Sequence, residues 1–149
     1  MKGKQFLVCF WAKIAVVTIF LLRFKMGNIL IIEDEEHVRK LMELVLVRQG
    51  HVVKQASGAE EAFTILKEER SIEERTELIL LDLRLEDSDG LKILERLKAS
   101  DDMQNISVML ITSISQQSIV LKGIKLGAQG YIKKPFHPDI LVERVSKFF

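Results

Sequence analysis

Residues 78–81 are four aliphatic side chains in an unbroken row, Leu-Ile-Leu-Leu, and no other stretch limits the possible folds as sharply. The run is too short for a helix and lacks the polar alternation of a strand with one wet face. It therefore reads as a central strand covered on both sides, with Asp82 at its end. Comparable runs occupy residues 28–33 and 106–111, with a shorter one at 131–133 and a weaker one at 51–55. Between them apolar residues return at helical spacing. Val38, Leu41, Met42 and Val45 mark a helix over 35–49 closed by Gly50; Ala59, Ala62, Phe63 and Leu66 mark a second; Leu91, Leu94 and Leu97 a third; residues 119–126 a fourth, closed by Gly127. The last helix is expected over 138–149, with Pro138 suited to the first helical position and Asp139 to the positive end of the helix dipole. The charged stretch 67–77 is expected to be a solvated loop.

Strand and helix thus alternate five times. That order demands crossovers between parallel strands, and right-handed crossovers place helices on both faces of the sheet. The expected fold is α/β: a doubly wound, five-stranded parallel sheet in a single domain over 26–149, a size the 149-residue chain accommodates.

Residues 1–25 are a different kind of sequence. They hold five basic groups (Lys2, Lys4, Lys13, Arg23, Lys25), no acid, and a mostly apolar stretch over 6–24 that includes Phe10, Trp11 and Phe20. Lys13 divides that stretch into two short runs, whereas a spanning helix wants about 20 residues with few charges. The segment is expected to lie outside the fold, with Met26 as the true start. A membrane anchor and an amphipathic partner helix are the alternatives, so membrane contact is expected only if these residues are translated. Residues 26–149 carry 17 basic and 21 acidic groups, a net charge of −4. That balance, with no basic stripe interleaved with aromatics, excludes a nucleic-acid module. The single Cys9 cannot form an internal disulfide and is in keeping with a reducing cytoplasm, the expected location.

In open α/β sheets ligands bind outside the carboxyl ends of the strands. Those ends carry Glu33 and Asp34 after the first strand, Asp82 after the third, Thr112 and Ser113 after the fourth, and Lys133, Lys134 and Pro135 after the fifth. Singly, each has a plain structural explanation: an acid caps a helix, a threonine favours a strand, a lysine before proline sits in a solvated turn. Jointly they do not, because carboxylates crowded on one rim repel and need a cation. Hard oxygen ligands in small number suit Mg²⁺, which keeps waters and shares a phosphate.

Four motifs, in this order, resemble the response-regulator receiver domain of two-component signalling in its simple, chemotaxis-receiver-like form. They are the acidic pair in LIIEDE (30–35), LLDLRLEDSDG (80–90) around Asp82 with Gly90 eight residues on, LITS (110–113), and GYIKKPF (130–136). The likeness covers about 27–149 and implies a flavodoxin-like sheet of order 2-1-3-4-5. It further implies that Asp82 is the phosphoacceptor, attacking the phosphorus of a phosphohistidine on a sensor histidine kinase or histidine phosphotransfer protein. Mg²⁺ would be held by Asp34, Asp82 and the backbone carbonyl of Arg84, with Glu33 acting directly or through water. Lys134 would supply the cation on the other side, its bond to Pro135 being cis, while Lys133 is solvated. Thr112 would donate its hydroxyl to a phosphoryl oxygen, drawing its loop inward and letting Tyr131 change rotamer. The implied activity is a switch with Mg²⁺-dependent self-phosphorylation and self-dephosphorylation only, not a turnover enzyme. As a single-domain regulator it would act through a separate downstream protein.

The chain departs from the family pattern in places. Glu86 stands four residues after Asp82, where the family often has proline, and Glu33 replaces the commoner aspartate. Arg84 and Ile114 occupy the positions two beyond Asp82 and Thr112 that tune phosphoryl gain and loss in the family. A haloacid-dehalogenase-type phosphatase would carry its nucleophile after the first strand and a second aspartate two residues on, where Asp82 is followed by Arg84. A pseudo-receiver, binding without phosphorylation, is disfavoured because Glu33, Asp34, Asp82, Thr112 and Lys134 fill every core position. A flavodoxin-like electron carrier would show a Ser/Thr-rich phosphate loop after the first strand, where this chain has Glu-Asp-Glu-Glu.

Overall fold

The computed structural model describes residues 26–69, 71–86, 88–114 and 116–149, so the expectations for residues 1–25 lie outside it. The aliphatic runs form strands β1 (Asn28–Ile32), β2 (Val52–Ala56), β3 (Leu78–Asp82), β4 (Ser107–Thr112) and β5 (Gly130–Lys133). The stretches between and after them form helices α1 (Glu36–Arg48), α2 (Ala59–Glu68), α3 (Gly90–Lys98), α4 (Gln117–Lys125) and α5 (Pro138–Val145). Every strand pairing is parallel, and the sheet order is β2-β1-β3-β4-β5. This is the doubly wound arrangement that the alternation implies, in the flavodoxin-like strand order that the resemblance implies.

Successive side chains of a strand point to opposite faces. On one face Leu30, Ile32, Ile79, Leu81, Val108 and Leu110 pack against Phe63 and Leu66 of α2 and Leu94 and Leu97 of α3. On the other, Ile29, Ile31, Leu78, Leu80, Met109 and Ile111 pack against Met42 and Leu46 of α1 and Leu141 and Val145 of α5. The unbroken run in β3 follows directly, since each residue serves the layer its neighbour does not. Burying one such side chain contributes roughly 1.5 to 3 kcal/mol, so two layers of them hold the sheet rigidly beneath its rim. In α4 a Cβ at Gly123 would stand 2.5 Å from Leu110 Cδ1, which is why glycine lies where that helix crosses β4.

Two expectations are corrected. The stretch 67–77 is not wholly solvated: a 3₁₀ turn forms at Ile72–Glu74, Thr76 is buried, and the Glu69 side chain is only 6% exposed. The Glu69 carboxylate accepts the Thr76 N–H at 2.9 Å, the Thr76 hydroxyl, and the Lys54 ammonium at 2.8 Å, so its burial leaves little polarity unmatched. The last helix stops at Val145 rather than running to Phe149, because Phe148 and Phe149 turn back onto the layer under α1 and α5. Phe149 lies 5.0 Å from the His51 ring and fills the space a Cβ on Gly27 would take. Among the described residues no helix is long and apolar enough to cross a membrane.

Candidate functional site

The register brings the strand ends level. Ile32 pairs with Leu81, so Glu33 and Asp82 leave the sheet side by side; Asp82 pairs with Ile111 and Thr112 with Lys133. The Lys134 N–H donates to the Thr112 carbonyl at 2.8 Å, extending the β4–β5 ladder by one residue and bringing Lys134 to the same rim. The Lys134–Pro135 bond is cis. Sheet order reverses between β1 and β3, and the crevice of such sheets opens at that point.

Here one carboxylate oxygen from each of Glu33, Asp34 and Asp82 lies within 4.8 Å of the others. Glu33 and Asp82 are buried and Asp34 is half-buried. Lys134 Nζ donates to Asp82 Oδ2 at 2.6 Å, stands 2.6 Å from Glu33 Oε2, and lies 3.7 Å from Glu35 Oε1. The contact with Glu33 is ionic without hydrogen-bond geometry. Glu33 Oε2 is the one buried side-chain polar atom among the described residues that lacks a hydrogen-bond partner. The remaining oxygens are served by the main chain: Glu35 N–H reaches Glu33 Oε1 at 3.2 Å and Arg84 N–H reaches Asp82 Oδ1 at 2.9 Å.

Burial pushes the Glu33 carboxyl above the ordinary carboxylate range and the Asp82 charge adds to this, while Lys134 and the Glu35 N–H oppose it. Burial alone would pull Lys134 down; the bond to Asp82 and the charges of Asp82 and Glu33 outweigh it and hold the ammonium above the usual lysine value. Formally, three carboxylates face one ammonium. Oxygens of this kind, gathered from three acids beside a single ammonium, can hold a hard divalent cation.

The structure therefore brings Glu33, Asp34, Asp82 and Lys134 together. Thr112 lies beside them, fully buried, its hydroxyl accepting the Ile114 N–H at 3.0 Å. Tyr131 stands apart, 48% exposed on β5. Arg84 presents its N–H to Asp82, with its side chain exposed, and Ser113 and Lys133 are exposed as well.

Other contacts at the site escaped the sequence. Arg39 Nη1 donates to the carbonyls of Glu33 at 2.6 Å and Asp34 at 3.2 Å, fastening the β1–α1 turn. Its acceptors are main-chain carbonyls five and six residues back, which no side-chain spacing signals. The main-chain N–H of Glu86 donates to Asp34 Oδ2 at 2.8 Å, a contact no side-chain pattern advertises. Asp89 caps α3 by accepting the Leu91 N–H at 2.9 Å. At Gly90 a Cβ would stand 2.4 Å from the Asp82 carbonyl oxygen and 2.5 Å from Leu83 Cα, so only glycine lets α3 begin against the end of β3.

The family model for the response regulator receiver domain matches residues 29–146. The transcriptional regulatory protein AfsQ1 of Streptomyces coelicolor is 32% identical over 120 residues, which are 80% of this chain and 50% of that protein. The chain spans about half the length of the curated relatives it matches. Among solved structures, the BeF3-activated DrrB receiver domain is 30% identical with a TM-score of 0.70, over 83% of this chain and 97% of that one. The phosphorylated cyanobacterial phytochrome response regulator RcpA is 25% identical with a TM-score of 0.69, over 82% and 90%. Motif order, sheet order and these likenesses agree, and the chain belongs to the response regulator receiver domain family.

Proposed function

We propose that this chain is a phosphoacceptor switch in which Asp82 receives a phosphoryl group from a phosphohistidine. Receiver domains of response regulators interact with histidine kinases or phosphotransfer proteins, and one of these is the proposed donor. The observation that carries the reading is the state of Asp82: buried at the end of a central strand, bridged to Lys134, and within shared-ligand distance of Glu33 and Asp34.

Glu33, Asp34, Asp82 and the Arg84 carbonyl are the proposed ligands of Mg²⁺, which when bound supplies charge neutralisation for an incoming phosphoryl group. The orphaned Glu33 Oε2 supports that fit. An Asp82 carboxylate oxygen attacks phosphorus; the O–P bond forms as the P–N bond breaks, and its electron pair returns to the imidazole nitrogen. Lys134 offsets charge on the phosphoryl oxygens from the opposite side. Thr112 then turns its hydroxyl from the Ile114 N–H towards a phosphoryl oxygen, the β4–α4 loop follows, and Tyr131 changes rotamer beside it. Water attack on the acyl phosphate resets the switch. The proposed setting is the cytoplasm, with output through a separate downstream protein.

Replacing Asp82 by Asn tests the assignment. Labelling by acetyl phosphate or by a phosphorylated histidine kinase in Mg²⁺ is expected to disappear. Acid-labile phosphate on Asp82→Asn at the wild-type level sinks the assignment. A wild-type protein that takes neither phosphate nor BeF3 while still binding a partner is instead an interaction module.

A further inference from the structure

Asp34 is the acid of the cluster least fixed by its own element. Its carboxylate stands just past β1, half-buried, and Lys134 is bonded to Asp82 and in ionic contact with Glu33 rather than to it. Two groups from elsewhere hold it. Arg39 fastens its carbonyl from α1, and the Glu86 main-chain N–H, 52 residues away along the chain, holds Oδ2 at 2.8 Å. The second contact exists because residue 86 is not proline, which has no N–H to donate. The segment carrying this donor is itself anchored. Leu83 and Leu85 are buried in the layer under α2 and α3, the backbones of Arg84 and Asp89 pair in an isolated antiparallel β-bridge, and the Gly90 N–H returns to the Leu83 carbonyl at 3.2 Å. The Glu86 side chain is exposed, so the donor is the backbone alone.

We propose that the Glu86 N–H is a positioning group for divalent-cation binding: it pins the Asp34 carboxylate against the β3–α3 segment so that the acids of β1 and β3 face the ion as one preformed set. Groups that orient a metal ligand from behind are worth about 10- to 100-fold in affinity when removed. The same bond makes the β3–α3 segment a reporter of the ion, because any cation that draws on Asp34 changes the charge on the acceptor of the Glu86 amide. The inference rests on the Mg²⁺ reading above and adds the residue that prepares the site.

The test uses the full chain and MgCl2 alone, read by NMR of backbone amides. In the metal-free protein the Glu86 amide should resonate downfield and exchange slowly, and Asp34→Asn should remove both properties. Mg²⁺ titration should move the Glu86 amide with the same midpoint as the amides of Arg84 and Glu35. Glu86→Ala, which keeps the N–H, should bind Mg²⁺ at wild-type affinity. Glu86→Pro, which removes it, should bind about tenfold more weakly while melting at the wild-type temperature without metal. Mg²⁺ affinity in Glu86→Pro equal to wild type overturns the inference, as does a Glu86 amide that exchanges freely in the wild-type protein; the second reading holds even if the proline variant does not fold. A wild-type protein that binds no Mg²⁺ overturns the metal reading itself and this inference with it.

Discussion

Lys134 does two jobs that pull in opposite directions. Its ammonium compensates Asp82 and Glu33 in the crevice, and for that reason it competes with any cation the same oxygens could bind. Unit charges 4 Å apart interact by about 4 kcal/mol at an effective dielectric of 20, so removing one should strengthen a divalent cation noticeably. Replacement of Lys134 by Met is therefore expected to raise Mg²⁺ affinity by about tenfold, or 1.4 kcal/mol, while lowering the rate of labelling at Asp82, because the phosphoryl oxygens lose their second cation. Calorimetric titration and acetyl phosphate labelling measure the two effects separately. A variant that binds Mg²⁺ more weakly contradicts the competition argument, and one that labels at the wild-type rate contradicts the role in transfer. At this scale the sequence was a good guide to side chains and a poor one to main chain. Glu33, Asp34, Asp82 and the pair Lys133 and Lys134 were legible because strand ends in a parallel sheet gather by topology, and the likeness to receiver domains singled out Lys134. Arg39 and the Glu86 N–H were not, because each acts on or through backbone groups whose meeting depends on register and turn geometry.

The elements divide in the same way. β1, β3 and β4 stand out in the sequence because strands buried on both faces must be unbroken aliphatic runs. The stretch 67–77 was misread because its charges suggest water, whereas Glu69 is buried among donors that only the folded chain supplies. The end of α5 was misread because helical spacing does not reveal that Phe148 and Phe149 have a better surface to cover. That surface includes His51, between α1 and β2. His51 Nδ1 accepts the Gly27 N–H at 3.2 Å, which requires the nitrogen to be unprotonated, and its ring meets Phe149. Burial holds its pKa below the ordinary histidine value against the attraction of the nearby Glu77 carboxylate. Because the folded pKa lies below the unfolded one, the contribution to stability is complete above about pH 6.5. As pH falls below that value the unfolded chain takes up a proton that the folded one refuses, and the contribution is lost by the time pH has passed through the folded pKa. Melting temperature should fall more steeply on acidification in the wild-type protein than in His51→Gln. Buried Glu33, whose pKa is raised, acts in the opposite sense in both proteins and cancels in the comparison. Parallel acid limbs in the two proteins would show that His51 is not the group responsible.

Across the whole molecule, the rim is a place where the fold holds charges that would rather separate. The sheet register forces Glu33 and Asp82 level, and the two apolar layers beneath give the strands no freedom to relax. The folded state therefore bears the repulsion among the three acids, which the unfolded chain escapes by spreading them over 50 residues of sequence. A cation that relieves it binds only the folded form and must stabilise that form by mass action, by about 2.7 kcal/mol at a free concentration one hundred times its Kd. For a domain of this size that corresponds to a rise in Tm of roughly 11 °C, at about 4 °C per kcal/mol. The rise should grow with the logarithm of Mg²⁺ concentration once the site is saturated and should be largely lost in Asp34→Asn. Sodium chloride at equal ionic strength should not reproduce it, because screening weakens exposed pairs far more than a crevice with two buried carboxylates. Scanning calorimetry across an Mg²⁺ series with a sodium chloride control measures this. A Tm that responds equally to both salts, or equally in wild type and Asp34→Asn, would mean that the acids of β1 and β3 do not act as one cation site.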